Sequence, residues 1–265
     1  MTDPTPRLAI VTGASSGIGR ELAEIVATRG FDLLVVASSE AIHGVASELR
    51  GRGGTVTAVQ ADLSTHVGVD EVVAAVAGRP VDVLCANAGV ALGGAFLDQE
   101  VVDWRRVIDT NVTGTTRLVH AIGGSMRGRG HGRILVTGSI VGSIPGPFDA
   151  IYNASKAYLN NFTDALANEL QGSGVTVTCL MPGATDTAVF GRAGMGDTVV
   201  GALKAKDSPA AVAKAGFAAM MAGQRDVVPG PHNKVLSALS NVLPQPVLAS
   251  LHAAAARPGG ARPER

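Results

Sequence analysis

The chain has 265 residues, 46% of them hydrophobic and only 3% aromatic, with 34 glycines. That length fits one large α/β domain or two small ones, and the apolar fraction allows a sizeable core. Lys plus Arg and Asp plus Glu balance at 22 each, so no basic field invites nucleic acid. No apolar run reaches the ~18 residues of a spanning helix, the six histidines show no metal-ligand spacing, and no secretory signal opens the chain. Cys85 and Cys179 lie in apolar strand-like runs, as buried reduced thiols of a cytoplasmic protein do.

Residues 8–12, Leu-Ala-Ile-Val-Thr, predict a buried strand. Gly13-Ala-Ser15-Ser16-Gly17-Ile18-Gly19 follows at once, then a helical pattern with Leu22, Ile25 and Val26 on one side. Strand, glycine turn and helix N-terminus together form a pyrophosphate-binding geometry, because glycines admit the backbone and free N–H groups face the anion. The alternation continues with strands at 31–37, 55–61, 81–86, 133–137 and 175–181. Between them come helices at 42–50, 70–77, 98–126 and 150–170. Such alternation predicts an α/β fold: one doubly wound, Rossmann-type parallel sheet with helices on both faces. The glycine turn, Asp62, Asn87, Ser139 and Pro182-Gly183 all fall just after strand C-termini, where open parallel sheets bind ligands.

Tyr152 and Lys156 stand four apart in Ile-Tyr-Asn-Ala-Ser-Lys. On a helix both share one face, and the ammonium is expected to lower the phenol pKa and make it a proton-transfer group. A solvated helix face is the ordinary alternative for this pair taken alone.

Taken together, Thr12-Gly13-x-x-x-Gly17-x-Gly19, Asn87-Ala88-Gly89, Asn111, Ser139, Tyr152-x-x-x-Lys156 and Pro182-Gly183 resemble the short-chain dehydrogenase/reductase family, over roughly residues 7–190. The resemblance implies a nicotinamide cofactor and reversible alcohol–carbonyl interconversion. It implies Tyr152 as general acid/base, Lys156 as its tuner and a ribose ligand, Ser139 as hydrogen-bond donor to the substrate oxygen, and Asn111 as holder of a proton-relay water. It implies that Gly13, Ser15, Ser16, Gly17, Ile18 and Gly19 cradle the cofactor, with Asp62 and Leu63 at the adenine. Asn87, Ala88 and Gly89 would lie beside the ribose, and Pro182, Thr185 and Thr187 near the nicotinamide or the phosphates. The family also commonly assembles as a homodimer or homotetramer through its two long helices.

The sequence departs from the family pattern after the second strand, at Ala37-Ser38-Ser39-Glu40. An acidic residue at 38 would favour NAD and an arginine NADP. Ser38 is neither, and two hydroxyls with no carboxylate at the site favour NADP(H) over NAD(H), although Glu40 could swing in. Cys85-Ala86 and Ile140 also depart, with less consequence for the chemistry.

Segments 90–95, 140–149 and 184–206 are expected over the substrate. Leu92, Val141, Ile144, Phe148, Phe190 and Met195 would make an apolar cleft for an apolar ketone, aldehyde or alcohol. Gly191, Gly194, Gly196 and Gly201 suggest a mobile lid. Beyond a core at about 7–230, a helical stripe at 231–256 (Val235, Leu236, Leu239, Val247, Leu248, Leu251) fits packing on its own domain, a subunit contact or a membrane surface. Residues 1–256 therefore read as one domain, and 257–265 as a disordered tail. The functional reading is an oxidoreductase; the alternative is a catalytically weak nucleotide-binding sensor or a scaffold on the same fold.

Overall fold

A computed structural model describes residues 7–240 and 242–261. Seven strands form one parallel sheet: β1 (Leu8–Thr12), β2 (Asp32–Ala37), β3 (Val56–Gln60), β4 (Val81–Ala86), β5 (Gly132–Thr137), β6 (Val175–Leu180) and β7 (Asp226–Val227). Their spatial order is β3-β2-β1-β4-β5-β6-β7. The order reverses between β1 and β4, which opens a crevice at the strand C-termini. The registers agree with this layout: Val11 lies beside Val35 of β2 and Cys85 of β4.

The strands read as apolar runs because both faces are covered. Alternate residues serve opposite layers. Ala9, Val11, Leu33, Val35, Val83 and Cys85 pack with helices α1 (Gly17–Ala27), α2 (Ala41–Leu49) and α9 (Pro209–Met221). Ile10, Leu34, Val36, Leu84, Ile134 and Val136 pack with α3 (His66–Ala75), α5 (Thr115–Arg129) and α6 (Ala150–Glu169). Cys85 and Cys179 are free and buried, and burial pushes both thiols up to about 12, which leaves them unreactive.

The continuous helix expected over 98–126 is divided. Phe96–Asp98 forms its own 3-10 turn and α4 runs from Val101 to Ile108. A π-helical turn, Asp109–Gly114, then leads into α5. Two contacts account for the widened turn. The Asn111 side chain grips the Val90 backbone, and a Cβ on Gly114 would stand 2.1 Å from the Leu63 carbonyl oxygen. One extra residue in a turn leaves the apolar spacing nearly unchanged, so the sequence pattern does not reveal it. On α4, the single tryptophan, Trp104, stands 6.1 Å from the Phe96 ring at 56°.

Helix α9 and strand β7 go beyond the predicted elements. The sequence of α9 is nearly half alanine with one charged residue, Lys214, and Val212, Ala213, Phe217, Ala219 and Met220 are all buried, so no polar face marks it as amphipathic. Segment 184–206 carries two short helices, α7 (Val189–Arg192) and α8 (Val199–Ala202). A bridge between Thr185 and Asp207 ties its ends.

Past β7 come α10 (Pro231–Ser240) and α11 (Gln245–Ala256). Of the three readings for this stripe, one face packs on its own domain: Leu248 and Ala256 are buried, the latter with Ala193 and Met195. Val235, Leu236, Leu239, Val247 and Leu251 stay exposed. Within the expected tail, residues 257–261 lie among the described residues. Asp197 accepts hydrogen bonds there from the Gly259 and Ala261 main chain, through its side chain and its carbonyl respectively. Residues 262–265 lie outside the described residues. Among the described residues no helix is long and apolar enough to cross a membrane.

Candidate active site

A cleft of about 690 Å³ runs along the C-terminal edge of the sheet, from the β1 turn to α11. Of the residues expected at the site, Gly13, Ser15, Ser16, Gly17, Ile18, Ser38, Asp62, Leu63, Asn87, Ala88, Gly89, Ser139, Tyr152, Lys156, Pro182, Thr185 and Thr187 line it. Gly19 and Asn111 stand behind the wall and shape it from there.

The glycine turn is shaped by close approach. Gly13 and Gly17 have φ of +67° and +56°, which favours glycine. A Cβ on Gly19 would lie 2.3 Å from the Gly13 carbonyl oxygen and 2.5 Å from Asn87 Nδ2, so no side chain fits there. Ser16, at the α1 N-cap, makes no side-chain capping bond, and the first turn carries no acidic residue. The free N–H groups and the helix dipole are therefore left facing the cleft, which suits an anion such as a pyrophosphate.

Behind the turn, three strands are fastened side chain to main chain. Thr12 Oγ1 accepts from the Asn87 and Ala88 N–H groups at 3.0 and 2.9 Å. Asn87 Nδ2 donates to the Thr12 carbonyl at 3.2 Å, and Thr137 Oγ1 donates to Asn87 Oδ1 at 3.0 Å. Asn87 thus joins β1, β4 and β5 at their tips.

Asn111 is fully buried, with its amide committed to protein. Nδ2 donates to the Val90 carbonyl and to Ser155 Oγ, both at 2.9 Å, and Oδ1 accepts from the Val90 N–H at 2.8 Å. Ser139 Oγ donates to the Pro182 carbonyl at 3.2 Å and accepts from the Val141 N–H at 3.3 Å. Asn160, which the sequence reading does not single out, holds the Ser139 backbone. Its Nδ2 donates to the Ser139 carbonyl at 2.8 Å, and its Oδ1 accepts from the Ser139 N–H at 3.3 Å. The signal was available: Tyr152, Lys156 and Asn160 recur every four residues along one face of α6.

Tyr152 and Lys156 meet as the spacing predicts, with Nζ 5.5 Å from the ring centroid. The expected acidification of Tyr152 is not found. Burial raises the Tyr152 pKa above the ordinary phenol value, and Asp149 pushes it further in the same direction. Lys156 is itself buried, lowered to about 8, and donates to the Thr137 carbonyl at 2.7 Å rather than to the phenol. Desolvation of both groups outweighs their attraction. No hydrogen bond from a described residue reaches the Tyr152 hydroxyl.

The far wall combines apolar and polar groups. Leu92, Val141, Phe190 and Met195 line the cleft as expected. Ile144 and Phe148 do not, and Phe148 packs instead against the Ala193–Met195–Ala256 cluster. Asp149, Arg192 and His252 also line the cleft, so it is less uniformly apolar than the sequence suggests. His252 reaches in from α11, with Nδ1 3.1 Å from the Pro147 carbonyl, and burial lowers its pKa. Nothing in the local sequence announces that residue. Phe148 has φ +64°, a backbone that costs an L-residue about 1–2 kcal/mol. Among the described residues, no group of three or more His, Cys, Asp or Glu side chains could hold a metal ion.

Comparison with known proteins gives the same answer as the geometry. The family pattern described as short chain dehydrogenase matches residues 7–196. A 3-oxoacyl-[acyl-carrier-protein] reductase of Synechocystis is 37% identical over 192 residues, covering 70% of this chain and 78% of the relative. A short-chain dehydrogenase from Sphingobium yanoikuyae, solved in complex with NADPH, superposes with a TM-score of 0.79 at 31% identity, covering 90% of this chain and 96% of that one. A short chain dehydrogenase/reductase from Burkholderia phymatum, solved with NAD, gives 0.77 at 25% identity, covering 90% and 94%. Because the family pattern spans residues 7–196 and the Synechocystis relative is 37% identical over 70% of the chain, the chain belongs to the short-chain dehydrogenase family of nicotinamide-dependent oxidoreductases.

Proposed function

We propose that this protein interconverts a carbonyl compound and its alcohol, with Tyr152 as the general acid/base. The observation that carries this reading is a phenol hydroxyl in the cleft wall with no hydrogen-bond partner among the described residues, one helical turn from a buried lysine. The glycine turn and the strand-tip residues that line the cleft would hold a nicotinamide cofactor, which would supply or accept the hydride. The raised pKa keeps Tyr152 protonated at neutral pH, the form that can give a proton to a carbonyl oxygen as it gains charge. Ser139 would turn its hydroxyl from Pro182 to that oxygen and stabilise the developing charge. Lys156, held by Thr137, would bind the ribose hydroxyls and return a proton to Tyr152. Both Nδ2 protons of Asn111 are used and Oδ1 has one lone pair left, so a relay water there would be held by that lone pair or by main chain.

We also infer a preference for NADP(H). Ser38 and Ser39 line the cleft, whereas Glu40 sits at the α2 N-cap outside it. Arg20 is paired with Glu48 and Arg7 stacks on Phe31, so neither supplies the charge for a 2′-phosphate; the two serine hydroxyls carry this preference. Residues 7–256 would form one catalytic unit. Two or four copies would assemble through the helices that expose Val101, Val102 and Tyr158.

A panel of ketones, aldehydes and alcohols, followed at the nicotinamide absorbance with NADP(H) and with NAD(H), tests the reading. Turnover that Tyr152→Phe abolishes, with cofactor still bound, is the expected result. Normal turnover in that variant would overturn the assignment.

A further inference from the structure

Asp149 lines the cleft, and neither the proton-transfer set nor the cofactor contacts employ it. It stands at the N-cap of α6, where an aspartate ordinarily accepts a bond from a free helix N–H. Here it makes no capping bond. The residue is only 5% exposed, and Oδ1 is shut off from solvent with no hydrogen-bond partner. A buried carboxyl left unpaired is costly, and such exceptions call for an explanation.

The backbone around it is held in a conformation it would not choose. Phe148, immediately before, is in the left-handed region. Gly94 N–H donates to the Phe148 carbonyl at 2.8 Å, and the Asp149 N–H donates to the Gly146 carbonyl at 2.9 Å. His252 is bonded to the Pro147 carbonyl, and the Arg257 guanidinium stacks 5.6 Å from the Phe148 ring. Strain that several contacts enforce tends to mark a place where orientation matters.

We propose that Asp149 is a substrate-binding residue that donates a hydrogen bond to a second oxygen of the substrate, so that the preferred carbonyl compound is a dicarbonyl. The proposal rests on the carbonyl–alcohol reading above and specifies its substrate class. Burial holds the Asp149 proton to about 8, so at neutral pH the group is a neutral acid with an O–H to give from Oδ2, Oδ1 being closed to the cleft. A carbonyl oxygen accepts that bond, whereas a substrate ammonium would need the ionised form. The titratable groups around it leave this unchanged. Tyr152 is protonated, His252 is kept neutral by burial, and Lys156 is turned to Thr137. Arg192 is exposed and makes no ion pair with Asp149. Phe190, Met195 and Val200 supply the apolar surface for the remaining skeleton. Protonation also protects the chemistry, because an ionised Asp149 would oppose negative charge on the phenol and on the reacting oxygen.

The test uses the full chain with NADPH and a matched pair, 1-phenylpropane-1,2-dione and 1-phenylpropan-1-one, at pH 6.5 and pH 9. The readout is the ratio of their kcat/KM values, in which intrinsic reactivity and the titration of Lys156 cancel between variants. Asp149→Ala should lower the ratio about tenfold or more at pH 6.5. Asp149→Asn, which keeps a neutral donor, should hold it within about threefold. The wild-type ratio should fall between pH 6.5 and pH 9, while that of Asp149→Asn stays flat. NADPH titration by fluorescence confirms that each variant is folded. An equal ratio in all three proteins at both pH values would reduce Asp149 to a structural acid and leave the reductase reading intact. Failure of wild type to turn over either ketone, while it turns over other members of the carbonyl panel, would remove the dicarbonyl preference alone.

Discussion

Replacing Asn160 by alanine isolates a group that touches neither substrate nor cofactor in the reading above, yet fixes the residue that does. Its amide makes two bonds to the Ser139 backbone, at 2.8 and 3.3 Å, and accepts a weak contact from Cys179 Sγ at 3.5 Å. The variant leaves the Ser139 N–H unpaired beside a buried serine, while the Ser139 carbonyl keeps the Gly142 N–H at 3.2 Å. The unpaired group costs about 1–3 kcal/mol and the lost carbonyl bond about 0.5–1.5 kcal/mol, so about 1.5–4.5 kcal/mol in total. For a chain near this size, 1 kcal/mol shifts Tm by about 2–4 °C, and the midpoint of that range corresponds to about 6–12 °C. Removing one oxyanion donor outright costs about 10²–10³ in kcat. A displaced Ser139 should cost less, about 10–100-fold, with the NADPH dissociation constant nearly unchanged. Stopped-flow or steady-state rates on any accepted ketone, with thermal melts in parallel, supply both numbers. In a Ser139→Ala background the further loss in kcat should vanish, because the two residues act as one unit. A normal kcat accompanied by a lower Tm would refute the positioning argument and leave Asn160 a mere fastener.

Gly19→Ala places a methyl within 2.3 Å of the Gly13 carbonyl oxygen; overpacking should cost about 1–3 kcal/mol and weaken cofactor binding at least tenfold by titration, and an unchanged affinity would mean that the turn is looser than drawn. Ser38→Asp should shift the NADP-to-NAD ratio of kcat/KM toward NAD by tenfold or more; a constant ratio would remove Ser38 from the ribose end of the cleft. Asp149→Asn should raise Tm, and by more at pH 8 than at pH 4. The folded carboxyl holds its proton to about 8 against the ordinary 3.8, so the native state binds more protons across that window and loses stability as pH rises through it. A gain in Tm independent of pH would show that Asp149 titrates normally.

Much of this site is visible in the linear sequence because its parts sit at fixed places on a repeating unit. Each strand of a parallel sheet ends at the same edge, so residues following six apolar runs must converge: Gly13, Ser38, Asp62, Asn87, Ser139 and Pro182 do. Local spacing places Tyr152 beside Lys156 for the same reason. What local pattern cannot carry is the balance of desolvation against charge. The attraction between a phenol and an ammonium is legible in four letters, but the burial that reverses its effect on Tyr152 comes from the whole surrounding wall. His252 becomes a neighbour of the cleft only through α11 folding back onto Pro147, 105 residues earlier in the chain. The π turn at Asp109–Gly114 escapes because one added residue barely changes the apolar spacing, and α9 because its alanines offer no contrast between faces.

Trp104 lies one residue from Asp103 and two from Arg106, both in the cleft wall, and no other indole exists in the chain. Indole emission overlaps the absorption band of a reduced dinucleotide, so excitation at this position should pass directly to a molecule seated nearby. The protein therefore carries its own optical gauge of occupancy, with one emitter at one known location and no label required.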